Sequence, residues 1–329
     1  ATAQHLIALD GASGKELLRH PIPENANDSV TFANLDGPDK EAVAIIKNRY
    51  NDLWAMERDG SIRWHWAPPK GERTAHQPYP IDLDGDGKEE LIPGFCAIDG
   101  NARQIWSLRQ AGVDTGKGHL DCARAIALDK PKGTRHLLMT LCSGDGIASV
   151  DLEGRRQWLH QGLHYESIDV GQFSATLPGP QLAVDITHGK RPYQDPLLCL
   201  DATGRVFGKV WGIRVRQHFN IDWLGNGLEQ IVIPSDLVIV DPATGTVVRR
   251  LDTPQPANLA PLKDEKARAG EHKNFGEYLL MGFCGDITGN GRQDIVIHTN
   301  PGTCAWIYEN TTGSAKKRAL GTEKNYTLY

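Results

Sequence analysis

Residues 80–106 read PIDLDGDGKEELIPG and then FCAIDGNARQIW. Two hairpins stand in series here. In the first, a short apolar run enters an Asp/Gly-rich turn and leaves through a run rich in Leu and Ile. In the second, alternating apolar residues flank an Asp-Gly turn and the closing strand ends in Trp106. Period-two alternation around a turn whose Gly supplies positive φ is the mark of a β-hairpin. Two hairpins make four strands, and four strands per ~40 residues is the size of one β-propeller blade.

Working outward, the second hairpin recurs from Leu6 (LIALDGASGKELL), Trp54 (WAMERDGSIRW), Ile147 (IASVDLEGRRQW) and Leu197 (LLCLDATGRVFGKVW). It recurs again from Leu237 (LVIVDPATGTVVRRL) and Trp306 (WIYENTTGSAKKRAL), making seven copies in all. The first hairpin recurs from Phe32, Ala125, Ser167, Asn220 and Cys284, making six. The copy at Leu6 lacks its partner, and an open blade leaves strand edges exposed. The terminal NYTLY, residues 325–329, is the candidate to complete it. The expectation is an all-β fold: a single propeller domain over 1–329 with seven blades, or eight in a longer parent chain. Two packed sandwiches are the alternative. Residues 252–275 break the pattern and read as an excursion between blades.

Composition agrees. The 329 residues include 35 glycines and 19 prolines, 40% of the chain is hydrophobic and 23% charged, as in globular proteins. No apolar run nears the ~20 residues of a membrane-spanning helix. A net charge of -5 argues against nucleic-acid binding by bulk basic charge. Six cysteines form no CxxC pair, so they read as buried thiols or as one or two disulfides, with Cys122/Cys142 and Cys284/Cys304 equally spaced. The sequence opens in a strand-like run without signal-peptide character, which suits a mature or trimmed form of a secreted or periplasmic monomer.

The turn at 82–90 places Asp82, Asp84, Asp86 and Glu90 at relative positions 1, 3, 5 and 9. With the Lys88 carbonyl they supply the oxygens that Ca²⁺ takes, and a structural Ca²⁺ site is expected there. The other reading is an Asp/Gly turn whose carboxylates cap backbone N–H groups. Partial sets survive at Asp36/Asp39/Glu41, Asp222/Asn226/Glu229 and Asp286/Asn290/Asp294.

The DxDGDGxxE turn, the DxxTG hairpins and the closing NxTLY resemble the FG-GAP-like propellers of polysaccharide lyases. Rhamnogalacturonan lyases, ulvan lyases, and rhamnosyl-glucuronate lyases with their related rhamnosidases are the families in question. The resemblance implies cleavage of a uronate-containing, rhamnose-bearing glycan at one end of the propeller axis, by β-elimination or by hydrolysis.

Blade geometry says where to look: the segment entering each innermost strand and the loop between second and third strands lie on one face. His76, His119, His164 and His218 precede four successive innermost strands. Arg49 and Tyr50 lie in one such loop, with Lys47 at its start; His188, Lys190, Arg191 and Tyr193 lie in another, and His298 and Asn300 in the last. Imidazole, guanidinium, amine and phenol dominate; Asp121, Glu166 and Asp185 are the few carboxylates. Paired carboxylates of a glycosidase are not evident. A lyase needs a cation to neutralise the uronate carboxylate and groups that move two protons. His76 and His119 are expected as base and acid, Arg191 as neutraliser and Tyr193 as its support. Arg49, Tyr50, His164, His188, Lys190 and His218 are expected to bind substrate. Trp64, Trp106, Trp158 and Trp211 read as packing between blades, and Trp66 and Trp223 as candidate sugar platforms. A rhamnosidase and a non-catalytic glycan-binding propeller are the competing functions.

Overall fold

The computed structural model describes residues 4–129, 134–187, 197–210, 218–252, 280–299 and 304–312. Among them are seven antiparallel sheets in chain order, and no helix beyond one 3-10 turn at Pro234–Asp236. The first sheet holds two strands, His5–Leu9 and Glu16–Pro21. The next five hold four each and the last holds three, every one in meander order. The third sheet, for example, runs Tyr79–Ile81, Glu90–Ile92, Cys96–Ile98 and Gln104–Ser107, so the stretch 80–106 is one blade. The fold is an all-β propeller of the expected kind. Residues 325–329 and nearly all of 252–275 lie outside the described residues.

The chain divides into two compact units. The first comprises residues 1–126 and 134–165, the second 127–133 and 166–329. Within each, the inner strands carry the core. Val43–Lys47 is buried throughout, whereas the outer strand Thr246–Arg250 is exposed throughout. Apolar clusters lie between successive sheets: Leu35, Ile45 and Leu53 with Leu91 and Ile98 in the first unit, Leu197 and Val210 with Ile231 and Val240 in the second.

The repeated Asp of the outer hairpin has a local job. Asp10, Asp59, Asp99, Asp151, Asp201 and Asp241 each accept a backbone N–H from two or three residues on, closing an Asx turn. In the third sheet the expected role of Gly fails. Positive φ falls on Ala102 (62°), while Gly100 lies close to the preceding blade, where a Cβ would stand a tight 3.3 Å from the Leu35 carbonyl.

The closing aromatic ties each blade of the first unit to the next. His20 Nε2 contacts the Arg58 carbonyl at 2.9 Å, Trp64 Nε1 donates to the Gly100 carbonyl at 3.0 Å, and Trp106 Nε1 donates to the Leu152 carbonyl at 3.0 Å. In each case the acceptor is the Asx turn one blade on. Gly154 has φ +81° and its missing Cβ would lie 2.6 Å from the Trp106 ring. Gly154→Ala is therefore expected to cost at least about 2 kcal/mol, from left-handed strain plus overpacking. A urea midpoint equal to that of the parent would contradict this packing.

All six cysteines are free thiols. Cys122 stands opposite Thr140 rather than Cys142, whose N–H donates to the His119 carbonyl instead.

Candidate functional site

Three pieces of the first unit converge. The loop after the strand Val43–Lys47 brings Arg49 and Tyr50, the segment before Tyr79–Ile81 brings Arg73 and His76, and the segment before Ala123–Asp129 brings His119 and Asp121. Backbone bonds lock them together: Thr74 N–H donates to the Tyr50 carbonyl and His76 N–H to the Leu120 carbonyl, each at 3.0 Å.

His76 Nε2 and His119 Nε2 stand 3.0 Å apart, and Asp121 Oδ1 lies 2.9 Å from the second and 3.4 Å from the first. His164, at the start of the strand His164–Gly171, adds a third imidazole, with Nε2 3.8 Å from Asp121 Oδ2 and Nδ1 3.7 Å from Asp145. Tyr50 covers the pair, its ring centroid 4.5 Å from that of His119 and 5.4 Å from that of His76. The guanidinium carbons of Arg49 and Arg73 sit 5.1 and 5.2 Å from the Tyr50 ring, and Arg49 Nη2 donates to Tyr50 Oη at 3.2 Å.

Tyr50 has φ 76°. A bulky residue in the left-handed region is strained, and such strain persists where surrounding structure imposes it. Burial, then the neighbouring His119, Arg49 and Lys47, push the His76 pKa down to about 3, so its imidazole is neutral across the ordinary pH range. Lys47 itself is buried against Asp28, and burial lowers its pKa. With two exposed guanidinium groups around a phenol and three imidazoles, the cluster suits an anionic ligand.

His218, expected as a sugar contact, does another job. It is 1% exposed, its Nδ1 is 2.6 Å from Asp169 and its Nε2 is 2.9 Å from Ser167 Oγ. The Ser–His–Asp arrangement has the outline of a hydrolase triad. However, Ser167 Oγ donates to Asp185 Oδ1 at 2.7 Å, and Asp185 also faces His218 Nε2 at 3.6 Å. Burial alone would lower the His218 pKa, but the two carboxylates outweigh it and hold it at about 10. An imidazolium cannot act as a general base, so this cluster braces the second unit.

His188, Lys190, Arg191 and Tyr193 lie outside the described residues, as does Asn300. His298 Nδ1 contacts the Thr299 carbonyl at 3.0 Å. Trp223, expected as a platform, is 7% exposed and packed in a core cluster; Trp66 is partly buried against another. Glu90 and Glu229, expected on a metal, serve backbone groups. Glu90 Oε2 accepts Leu83 N–H at 2.8 Å, and Glu229 reaches the previous blade to accept Gln172 N–H at 2.9 Å. Asp36 pairs with Arg63 and Glu41 with Arg58.

Arg73 escaped the sequence reading, although it stands three residues before His76 in the same segment and could have been found there. Asp121 was noted only as a scarce carboxylate; its contact to three histidines comes from packing.

No protein-family model matches the chain, and no curated protein matches it. Solved structures do. The chain is similar to the rhamnogalacturonan lyase YesW at 19% identity and TM-score 0.58, and to a Bacillus licheniformis rhamnogalacturonan lyase at 17% and 0.63. In both comparisons 95% of this chain is covered against 53% of the other, so it spans about half the length of those lyases. It is also similar to BamB from Moraxella catarrhalis at 14% identity and TM-score 0.57, over 93% of this chain and 78% of that one. At these identities the likeness is one of fold.

Proposed function

We propose that the chain is a polysaccharide lyase that cuts by β-elimination beside a uronic acid in a rhamnose-containing glycan. The observation that carries this is Tyr50, held in a strained backbone between two guanidinium groups and over a histidine pair. The fold shared with rhamnogalacturonan lyases is consistent with it.

In the reaction a base takes the proton at C5 of the uronate, its electrons form the C4–C5 double bond, the C4–O bond breaks, and the leaving oxygen gains a proton. The carbanionic charge that develops on the carboxylate needs a preorganised cation. In this reading Arg49 and Arg73, beside Tyr50, take that task in the first unit, the role first expected of Arg191. Tyr50 exchanges protons with the substrate. His76 and His119 belong to the same centre, but their Nε2 atoms meet each other. They serve as one unit, sharing with Asp121 whatever lies among them.

The test is a panel of pectic rhamnogalacturonan, ulvan and gum arabic incubated with the chain. Growing ultraviolet absorbance with products carrying an unsaturated uronate is the expected result. New reducing ends without absorbance would mean a rhamnosidase, and binding without cleavage a glycan-binding propeller; either defeats the lyase.

A structural Ca²⁺ ion is proposed at Asp82, Asp84 and Asp86, whose ligand atoms lie within 4.8 Å of one another, with the Lys88 carbonyl. The same carboxylates cap Gly85, Asp86, Gly87 and Lys88 N–H groups, so the turn is shaped before any ion arrives. Chelation is expected to lower the melting temperature and Ca²⁺ to restore it; indifference to both would remove the ion from the account.

A further inference from the structure

We propose that His76 Nε2, His119 Nε2 and Asp121 Oδ1 form a binding site for a divalent first-row transition ion, of the zinc type. The site stands on geometry and donor chemistry and does not require the lyase reading.

The three atoms form a triangle with edges of 3.0, 2.9 and 3.4 Å. Ligands held at about 2.0–2.1 Å from one ion, at angles of roughly 90–110°, lie about 2.9–3.4 Å apart. The triangle therefore has the dimensions of one face of a coordination sphere. Hydrogen bonding explains the contacts less completely. Two Nε2 atoms and a carboxylate oxygen offer three lone pairs to one another, and each bare contact needs a proton between its atoms. His119 Nδ1 is buried without a hydrogen-bond partner among the described residues, so no outer partner fixes the tautomer of this ring.

The donors choose the metal. Two imidazole nitrogens and one carboxylate suit zinc, iron, cobalt or nickel, whereas Ca²⁺ and Mg²⁺ ask for an all-oxygen shell. The site is thus chemically distinct from the acidic turn at Asp82. Three protein ligands with a position left over is the arrangement of reactive rather than purely structural zinc. His164 and Cys142 border the triangle: with Asp121 they make a second ligand-capable group, their donor atoms within 4.8 Å of one another. Side chains of Asp121, His119, His76 and His164 are only 3, 10, 11 and 14% exposed, so the cluster is sheltered yet reachable.

The scaffold is rigid where the ligands sit. A Cβ on Gly118 would lie 1.6 Å from the Cys142 carbonyl, so the backbone leading into His119 runs flush against the neighbouring strand. Cys142 N–H donates to the His119 carbonyl at 3.1 Å and Ser29 Oγ to the His76 carbonyl at 3.2 Å. Ligands fixed in this way bind without paying to be ordered. If the lyase reading also holds, an ion here would add Lewis-acid stabilisation to that of Arg49 and Arg73, with Tyr50 as the proton-transfer group.

The test is titration of the full chain, stripped with chelator, with Zn²⁺ and with Co²⁺, read by metal content and by the visible spectrum of Co²⁺. One ion per chain is expected, with a Co²⁺ spectrum of nitrogen and oxygen ligation and a raised melting temperature. His119→Gln and Asp121→Asn are each expected to weaken binding by more than about 100-fold, since loss even of an outer partner costs about 10–100-fold. Asp82→Asn is expected to leave it unchanged. Circular dichroism of each variant separates lost ligands from lost fold, and the wild-type Co²⁺ spectrum needs no variant at all. Absence of stoichiometric Zn²⁺ and Co²⁺ binding by the wild type overturns the proposal, as does binding that survives in folded His119→Gln. No glycan enters these measurements. Failure here leaves the lyase test standing, and failure of cleavage leaves the metal site standing.

Discussion

If the chain is a lyase, Tyr50→Phe is expected to lower turnover of a uronate glycan by about 10²–10⁴-fold, the range for loss of a positioned proton-transfer group. The substitution removes only Oη and its bond from Arg49 Nη2. The ring keeps its place over His119, and the left-handed backbone tolerates Phe no worse than Tyr. Stability and the affinity for glycan are therefore expected to stay near those of the parent, so the loss falls on kcat rather than KM. Turnover within threefold of the parent would remove Tyr50 from the chemistry. A change in KM alone would make it a binding residue, the role the sequence reading gave it.

His218→Gln is expected to destabilise the fold by roughly 3–5 kcal/mol, the cost of removing one member of a buried charge cluster. The change leaves Asp169 and Asp185 facing a neutral side chain in the interior of the second unit. The pH dependence follows from the raised pKa. In the unfolded chain His218 titrates near its ordinary value of 6.5; in the folded chain it holds its proton to about 10. The stabilisation is full below about pH 6.5 and fades as pH rises to about 10. Urea unfolding of the parent should thus weaken across that interval, and His218→Gln should show a flatter profile. Equal slopes for the two proteins would mean that the imidazole is neutral in the fold.

The sequence held the blades because their signal is local. Asp10, Asp59, Asp99, Asp151, Asp201 and Asp241 recur since each closes its own turn, and alternation in the flanking strands records which face is buried. Signals that depend on a neighbour were read less well. Glu229 looks like a turn ligand until its target, an N–H one blade away, is known. Gly100 looks like the left-handed residue of its turn, whereas positive φ falls on Ala102 and Gly100 lies close to the Leu35 carbonyl. The site divides in the same way. Position before an innermost strand marked His76, His119 and His164, and a common contact to Asp121 joins them. The same rule marked His218, whose environment of two carboxylates no spacing could reveal. Arg73 shares the segment that carries His76, and its place beside Tyr50 comes from packing.

The most direct measurement is ¹⁵N NMR of the histidine side chains during titration with a rhamnosyl-glucuronate disaccharide. Ring nitrogens of His76, His119 and His164 are predicted to shift together and saturably, while His218 stays fixed. Saturable binding that moves other histidines and leaves these three unchanged would contradict a functional centre at Tyr50, His76, His119 and Asp121.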